Sequence, residues 1–141
     1  LFFLRKAVEA DRSWINTCNI SLSEEQIVKV EDYFILQSVA EQKPIGMFAI
    51  ELHAETAYLH SLRFTNGAPS IEQLGSLLDH VIIYCRKQGK EQLCLVVPPA
   101  SNWLLNLGFN RTIEVPTSVE QSSHYQKVAS KGTLLSYSLH P

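Results

Sequence analysis

The chain has 141 residues, 45% of them apolar, and a formal net charge of −2. That length predicts one domain whose core buries about two-thirds of the surface exposed by the unfolded chain. The near-neutral balance, with no basic stripe, excludes nucleic acid and anionic membranes as expected partners.

The opening Leu1-Phe2-Phe3-Leu4 is apolar but far too short for a signal peptide or a membrane span. The cysteines Cys18, Cys85 and Cys94 are widely spaced, and no pair has zinc-ligand spacing. Cys85 falls on an apolar helical face and Cys94 in an apolar run, so both read as buried free thiols in a reducing cytoplasm. His53, His60, His80, His124 and His140 form no local metal motif, and no metal is expected.

In chain order, Phe2 to Val8 predicts a first strand. Glu9-Ala10-Asp11 opens a helix to about Asn19, with Ala10, Trp14, Ile15 and Cys18 on one face and Asp11 as its cap. Ser23 and Gln26 form a capping box for a short second helix. Asp32 to Val39 is rich in aromatic and branched residues and predicts a strand. Glu41-Gln42-Lys43-Pro44 turns the chain, and Ile45 to His53 returns as the hairpin partner.

His53-Ala54-Glu55 turns again into the central strand, Thr56 to Phe64. The loop Thr65-Asn66-Gly67-Ala68-Pro69 is turn chemistry. A long helix follows from Ser70, with Gln73 completing a capping box. Its apolar stripe is Ile71, Leu74, Leu77, Leu78, Val81, Ile82 and Cys85. Arg86, Lys87 and Lys90 suit the negative end of the helix dipole, and Gly89 ends the helix. A strand entering a helix through a tight loop leaves amides at the helix start that bind anions, although a unit that binds nothing has the same pattern.

Gln92 to Val97 is a continuous apolar run, predicted as a buried strand parallel to the central one across the helical crossover. Pro98-Pro99 ends it. Ala100 to Leu107 predicts a two-turn helix closed by Gly108. Phe109 to Val115 is a further strand, Pro116 to Ser123 a polar loop, and Thr133 to Leu139 a last, antiparallel strand.

This element order resembles that of the GNAT acyltransferase superfamily. Ala100-Ser101-Asn102-Trp103-Leu104-Leu105-Asn106-Leu107-Gly108-Phe109 is similar to the Ala-x-x-Trp-Phe-x-x-x-Gly-Phe segment of N-acetylglutamate synthase acetyltransferase domains, with Leu104 for the Phe. The tail is similar too, in Val115-Pro116, His124-Tyr125 and Ser130-Lys131-Gly132-Thr133-Leu134-Leu135. The resemblance implies an α/β GNAT fold over residues 1–141 as a single domain. Its mixed, mostly antiparallel sheet would be flanked by helices and splayed between the central strand and the strand after the long helix. It implies a cytoplasmic N-acetyltransferase that moves an acetyl group from acetyl-CoA to the amine of a small molecule, with amino acids among the candidates, and it leaves a homodimer open.

The family's Arg/Gln-x-x-Gly-x-Gly/Ala pattern falls on Ser70 to Gly75, where only the final glycine matches. Gln73 stands where a glycine normally admits the pyrophosphate, Glu72 adds a negative charge, and Gly67 offers an earlier glycine. The donor contacts implied are Leu62, Phe64, Gly67, Ser70, Ile71, Gln73 and Gly75. The family's usual acid, a tyrosine, is replaced here by Leu104, and the central strand offers Tyr58 and His60 on one face where a carboxylate base is common. His60 suits a base near neutral pH, or is simply a hydrogen-bonded strand residue. Tyr125 is the acid implied by the tail, or a loop-packing residue. The alternative for the whole chain is a GNAT-shaped binding or regulatory module without acyl chemistry.

Overall fold

The structure, a computed structural model, describes residues 2–19, 29–65, 69–98, 102–112 and 114–139. Alternating and branched runs become the strands β1 (Phe2–Lys6), β2 (Tyr33–Ser38), β3 (Pro44–Leu52), β4 (Thr56–Phe64), β5 (Gln92–Val97), β6 (Asn110–Arg111) and β7 (Thr133–Ser138). The helices are α1 (Arg12–Asn19), α2 (Ile71–Lys87), α3 (Thr117–Glu120) and α4 (Ser123–Val128). The helix expected from Ser23 lies outside the described residues, as do Gly67, Ala100 and Ser101.

The seven strands form one mixed sheet in the order β1-β2-β3-β4-β5-β7-β6. The β1–β2, β2–β3, β5–β7 and β6–β7 ladders are antiparallel. Only a long crossover can join parallel neighbours, and α2 supplies one between β4 and β5. That parallel ladder runs from Thr56 opposite Gln92 to Leu59 opposite Leu95. It stops short of the second half of β4, as a splayed sheet requires. Ser61 follows with φ at 57°, a left-handed conformation that serine rarely adopts.

The chain divides into two compact units, Leu1–Ile50 with Ser61–Pro69, and Glu51–His60 with Ser70–Pro141. In the first, Ala7, Ile15, Val30, Tyr33, Ile35, Met47 and Ala49 form a buried core against which Trp14 and Cys18 pack. The opening of α1 differs from its prediction. Residues Glu9–Asp11 make a 3-10 turn, and Ala10 is exposed. The Asp11 carboxylate reaches back to accept the Val8 amide at 2.8 Å, and it takes two bonds from the Arg5 guanidinium at 2.8 and 3.0 Å. That Arg5 hydrogen bond lowers the Asp11 pKa against the opposing effect of burial.

In the second unit, Tyr58, Cys94, Val119 and Leu134 form the core, with Val96, Val115 and Tyr125 packed against it. The α2 capping box forms as predicted. The Gln73 amide donates to Ser70 Oγ at 3.1 Å, and the Ser70 amide donates to Gln73 Oε1 at 2.9 Å. Leu77, Leu78, Val81, Ile82 and Cys85 are buried, but Ile71 is 68% exposed because it begins the first turn, ahead of the buried stretch. Gly89 ends the helix at φ 76°, and Arg86 donates to the Leu139 carbonyl at 2.9 Å. At Gly132 a side chain is excluded, since a Cβ would stand 2.6 Å from the Val97 carbonyl oxygen.

Two segments depart from expectation. The strand predicted over Phe109 to Val115 is reduced to Asn110–Arg111. The stretch read as a polar loop, Pro116 to Ser123, holds α3 and the first residue of α4, and Val119 of α3 is buried at 0% exposure. Among the described residues no helix is long and apolar enough to cross a membrane.

Candidate functional site

β3 and β4 bring their polar residues together through a tight hairpin, in which the His53 amide donates to the Thr56 carbonyl at 2.9 Å. The period of two then sends Glu51 and His53 to one face of β3, and Tyr58 and His60 to one face of β4. The Glu51 carboxylate is the hub. Its Oε1 accepts from His53 Nε2 at 3.0 Å. Its Oε2 meets His60 Nε2 at 3.1 Å and accepts from Ser122 Oγ at 3.1 Å. An ionised carboxylate only accepts, so both imidazoles carry their proton on Nε2. Burial alone would raise the Glu51 carboxyl. The hydrogen bond and charge of His60, with bonds from Ser122 and His53, outweigh burial and hold it down, to about 2.

α4 supplies the other side of the cluster. Ser122 caps this helix by accepting the Tyr125 amide at 3.4 Å while its hydroxyl proton goes to Glu51. His124 Nδ1 lies 2.8 Å from the Tyr58 hydroxyl. The His60 and His124 rings stack with centroids 4.2 Å apart. Tyr125 meets Tyr58 edge-on at 6.3 Å. Burial first, then Glu51, pushes the Tyr58 hydroxyl well above the ordinary phenol range.

The structure thus gathers Tyr58, His60 and Tyr125, the residues expected to carry chemistry, around Glu51. Tyr58 is fully buried, the His60 side chain is 9% exposed, and Tyr125 is half-buried. Glu51, Ser122 and His124 were not singled out from sequence. The pattern Glu51-x-His53 beside Tyr58-x-His60 could have exposed Glu51, because a hairpin closed at His53 and Thr56 sets these pairs on one face. Ser122 and His124 are not recoverable without recognising α4. Among the described residues no group of side chains is arranged to hold a metal ion.

The residues expected to touch a donor are less concentrated. Leu62 and Phe64 are half-buried on the last residues of β4, and Gly67 is outside the described residues. Ser70, Ile71 and Gln73 are exposed at the start of α2. The amides of Ile71 and Glu72 have no acceptor within the helix. That of Gln73 is taken by Ser70 Oγ, and the Gln73 side chain is folded back on the Ser70 amide. A Cβ at Gly75 would meet nothing within 4 Å, so the approach along that side is open.

No protein-family model and no curated protein matches the sequence. Solved structures do match. N-acetylglutamate synthase from Neisseria gonorrhoeae, complexed with coenzyme A and N-acetylglutamate, superposes with a TM-score of 0.79 at 19% identity, over 100% of this chain and 36% of that one. The chain therefore spans about a third of the synthase. A Mycobacterium tuberculosis protein in complex with coenzyme A gives 0.73 at 10% identity, covering 98% of this chain and 99% of that one. A GNAT-family acetyltransferase from Staphylococcus aureus gives 0.71 at 12% identity, over 99% of this chain and 100% of that one. The fold of this chain is that of the GNAT acetyltransferases, from end to end.

Proposed function

We propose that the whole chain acts as one acyltransferase unit, moving an acetyl group from acetyl-CoA to the amine of a small molecule. The observation that carries this reading is the cluster around Glu51, which unites Tyr58, His60 and Tyr125 with His124 and Ser122. His60 is the base. Its Nε2–H is held by Glu51, so in the neutral ring the lone pair lies on Nδ1, where it takes a proton from the acceptor amine. Glu51 then stabilises the imidazolium, and Ser122 and His53 hold the carboxylate in place. Tyr125 holds the acid's proton on its hydroxyl oxygen. Tyr58, wholly buried, positions neighbouring groups rather than touching substrate.

Acetyl-CoA would supply the acyl group as an activated thioester. The residues of the second unit that suit it are the Ile71 and Glu72 amides and the open side at Gly75. The Neisseria gonorrhoeae synthase and the Mycobacterium tuberculosis protein hold coenzyme A, and the synthase also holds N-acetylglutamate, which supports an amino acid as the acceptor. The buried free thiols Cys85 and Cys94 support a cytoplasmic setting.

A second reading, a GNAT-shaped module that binds without transferring, is favoured by one feature. The capping box withdraws the Gln73 amide from any ligand, and Glu72 adds a negative charge beside it. Titration of acetyl-CoA at fixed ionic strength separates the two. Saturable binding is expected, tightened modestly by Glu72→Gln and abolished by Gly75→Asp, and amine-dependent release of free CoA thiol is expected to be lost in His60→Gln. No saturation up to millimolar ligand, a limit of about −4 kcal/mol, would sink the enzyme reading and leave the module.

A further inference from the structure

His60 and His124 come from different elements, β4 and α4, yet their rings stack face to face at 4.2 Å with planes 24° apart. The two rings meet different groups. His60 meets the Glu51 carboxylate, which His53 also bonds, while His124 meets the Tyr58 hydroxyl. The other titratable groups against Tyr58 are Cys94 and Tyr125. We infer that the two imidazoles work as a pair that takes up a single added proton, with His60 as its carrier and His124 as a positioning residue kept neutral by the Tyr58 hydroxyl.

Tyr58 fixes the direction of its bond to His124. Its side chain has 0% exposure, and among the described residues His124 Nδ1 is its hydrogen-bond partner. A buried hydroxyl hydrogen that lacks an acceptor is destabilising, so the O–H points at Nδ1. Burial, then the Glu51 charge, raises the Tyr58 pKa, and the phenol keeps its proton. His124 Nδ1 must then be the acceptor, which leaves its ring neutral with the proton on Nε2.

Charging His124 would put a second proton on Nδ1. The Tyr58 O–H would have to turn away and lose its acceptor in the core. The new cation would also stack on His60, whose own charged form is favoured by Glu51. Two like charges at that separation oppose each other strongly in a half-buried cluster. Both effects push the proton to the same ring.

The test is a long-range proton–nitrogen spectrum of the 15N-labelled full chain, followed from about pH 5.5 to 8.5, the span in which an imidazole ordinarily titrates. Ring signals are assigned with His60→Gln and His124→Gln. His124 is expected to show the neutral Nε2–H pattern throughout while His60 passes to the imidazolium pattern on acidification. In His124→Gln the His60 midpoint should move by less than about half a pH unit, because a neutral neighbour was removed. In Tyr58→Phe, which keeps the ring and deletes the hydroxyl, the His124 tautomer is released and an Nδ1–H population should appear. An Nδ1–H or cationic His124 near neutral pH in the wild type would overturn the inference. So would a His60 midpoint displaced by about a unit or more in His124→Gln, or a His124 that keeps the pure Nε2–H pattern in Tyr58→Phe. If Tyr58→Phe does not fold, the wild-type pattern and His124→Gln decide. None of these readings uses acyl transfer, so they stand or fall apart from the enzyme proposal.

Discussion

Replacing Glu51 by Gln tests whether the candidate site is held together by its carboxylate. The substitution keeps shape but leaves one acceptor oxygen where the carboxylate offers two, against donors from His53, His60 and Ser122. The new amide group must face an N–H on at least one side. Hydrogen bonds to charged groups are worth about 1.5–3 kcal/mol each, so a destabilisation of about that size is expected at pH 7. The pH dependence has a definite sign. The Glu51 carboxyl falls from 4.5 to about 2 in the folded protein, so its contribution is fully present above pH 4.5 and is lost as pH falls through 2. Taken whole, that fall corresponds to about 3 kcal/mol; the side chain is partly solvated, and screening leaves about 1–2 kcal/mol. Urea denaturation of wild type and Glu51→Gln, at pH 7 and at steps down to about 2.5, reads the difference directly. The gap between the two proteins should narrow over that descent, since the variant never had the carboxylate to lose. A gap that is flat with pH, or below about 0.5 kcal/mol at pH 7, would refute the carboxylate as the hub.

Leu78 is 5% exposed on the inner face of α2, and Leu78→Ala should lower unfolding stability by about 2–5 kcal/mol in the same urea assay. Burial pushes the Cys85 thiol up to about 12 and the Cys94 thiol up to about 11. Both should therefore resist a maleimide reagent in the native protein and react on unfolding; rapid native labelling of both would contradict their place in the core.

The fold was legible where local chemistry and burial agree. Ser70 and Gln73 specify their own geometry within four residues, so the start of α2 needs no tertiary information. β4, β5 and β7 carry patterns of burial that survive in the structure, and the parallel pairing of β4 with β5 follows from the crossover alone. Where the agreement lapses, prediction lapses with it. Ile71 continues the apolar period of α2 but lies before the helix reaches its core, so periodicity overstates the buried stripe by a turn. Pro116 to Ser123 is polar enough to read as loop, because α3 is too short to show a period and buries one side chain, Val119, completely.

The site shows the same division. Tyr58 and His60 share a face by strand period, which sequence supplies without help. Glu51 joins them only through the register of the β3–β4 hairpin, and register depends on how the turn at His53 closes. His124 and Ser122 lie further off still, since they approach only when α4 is placed over the tyrosine. A residue's chemistry can be read from its type, but its protonation depends on neighbours that the chain brings from far along its length. Ser122 lies 71 residues from Glu51, and His124 lies 66 from Tyr58. The tautomer of His60 is therefore chosen by Glu51 on the adjoining strand, and the hydrogen-bond partner of His124 by the placement of α4 over Tyr58. Neither choice is written in the local sequence of either histidine.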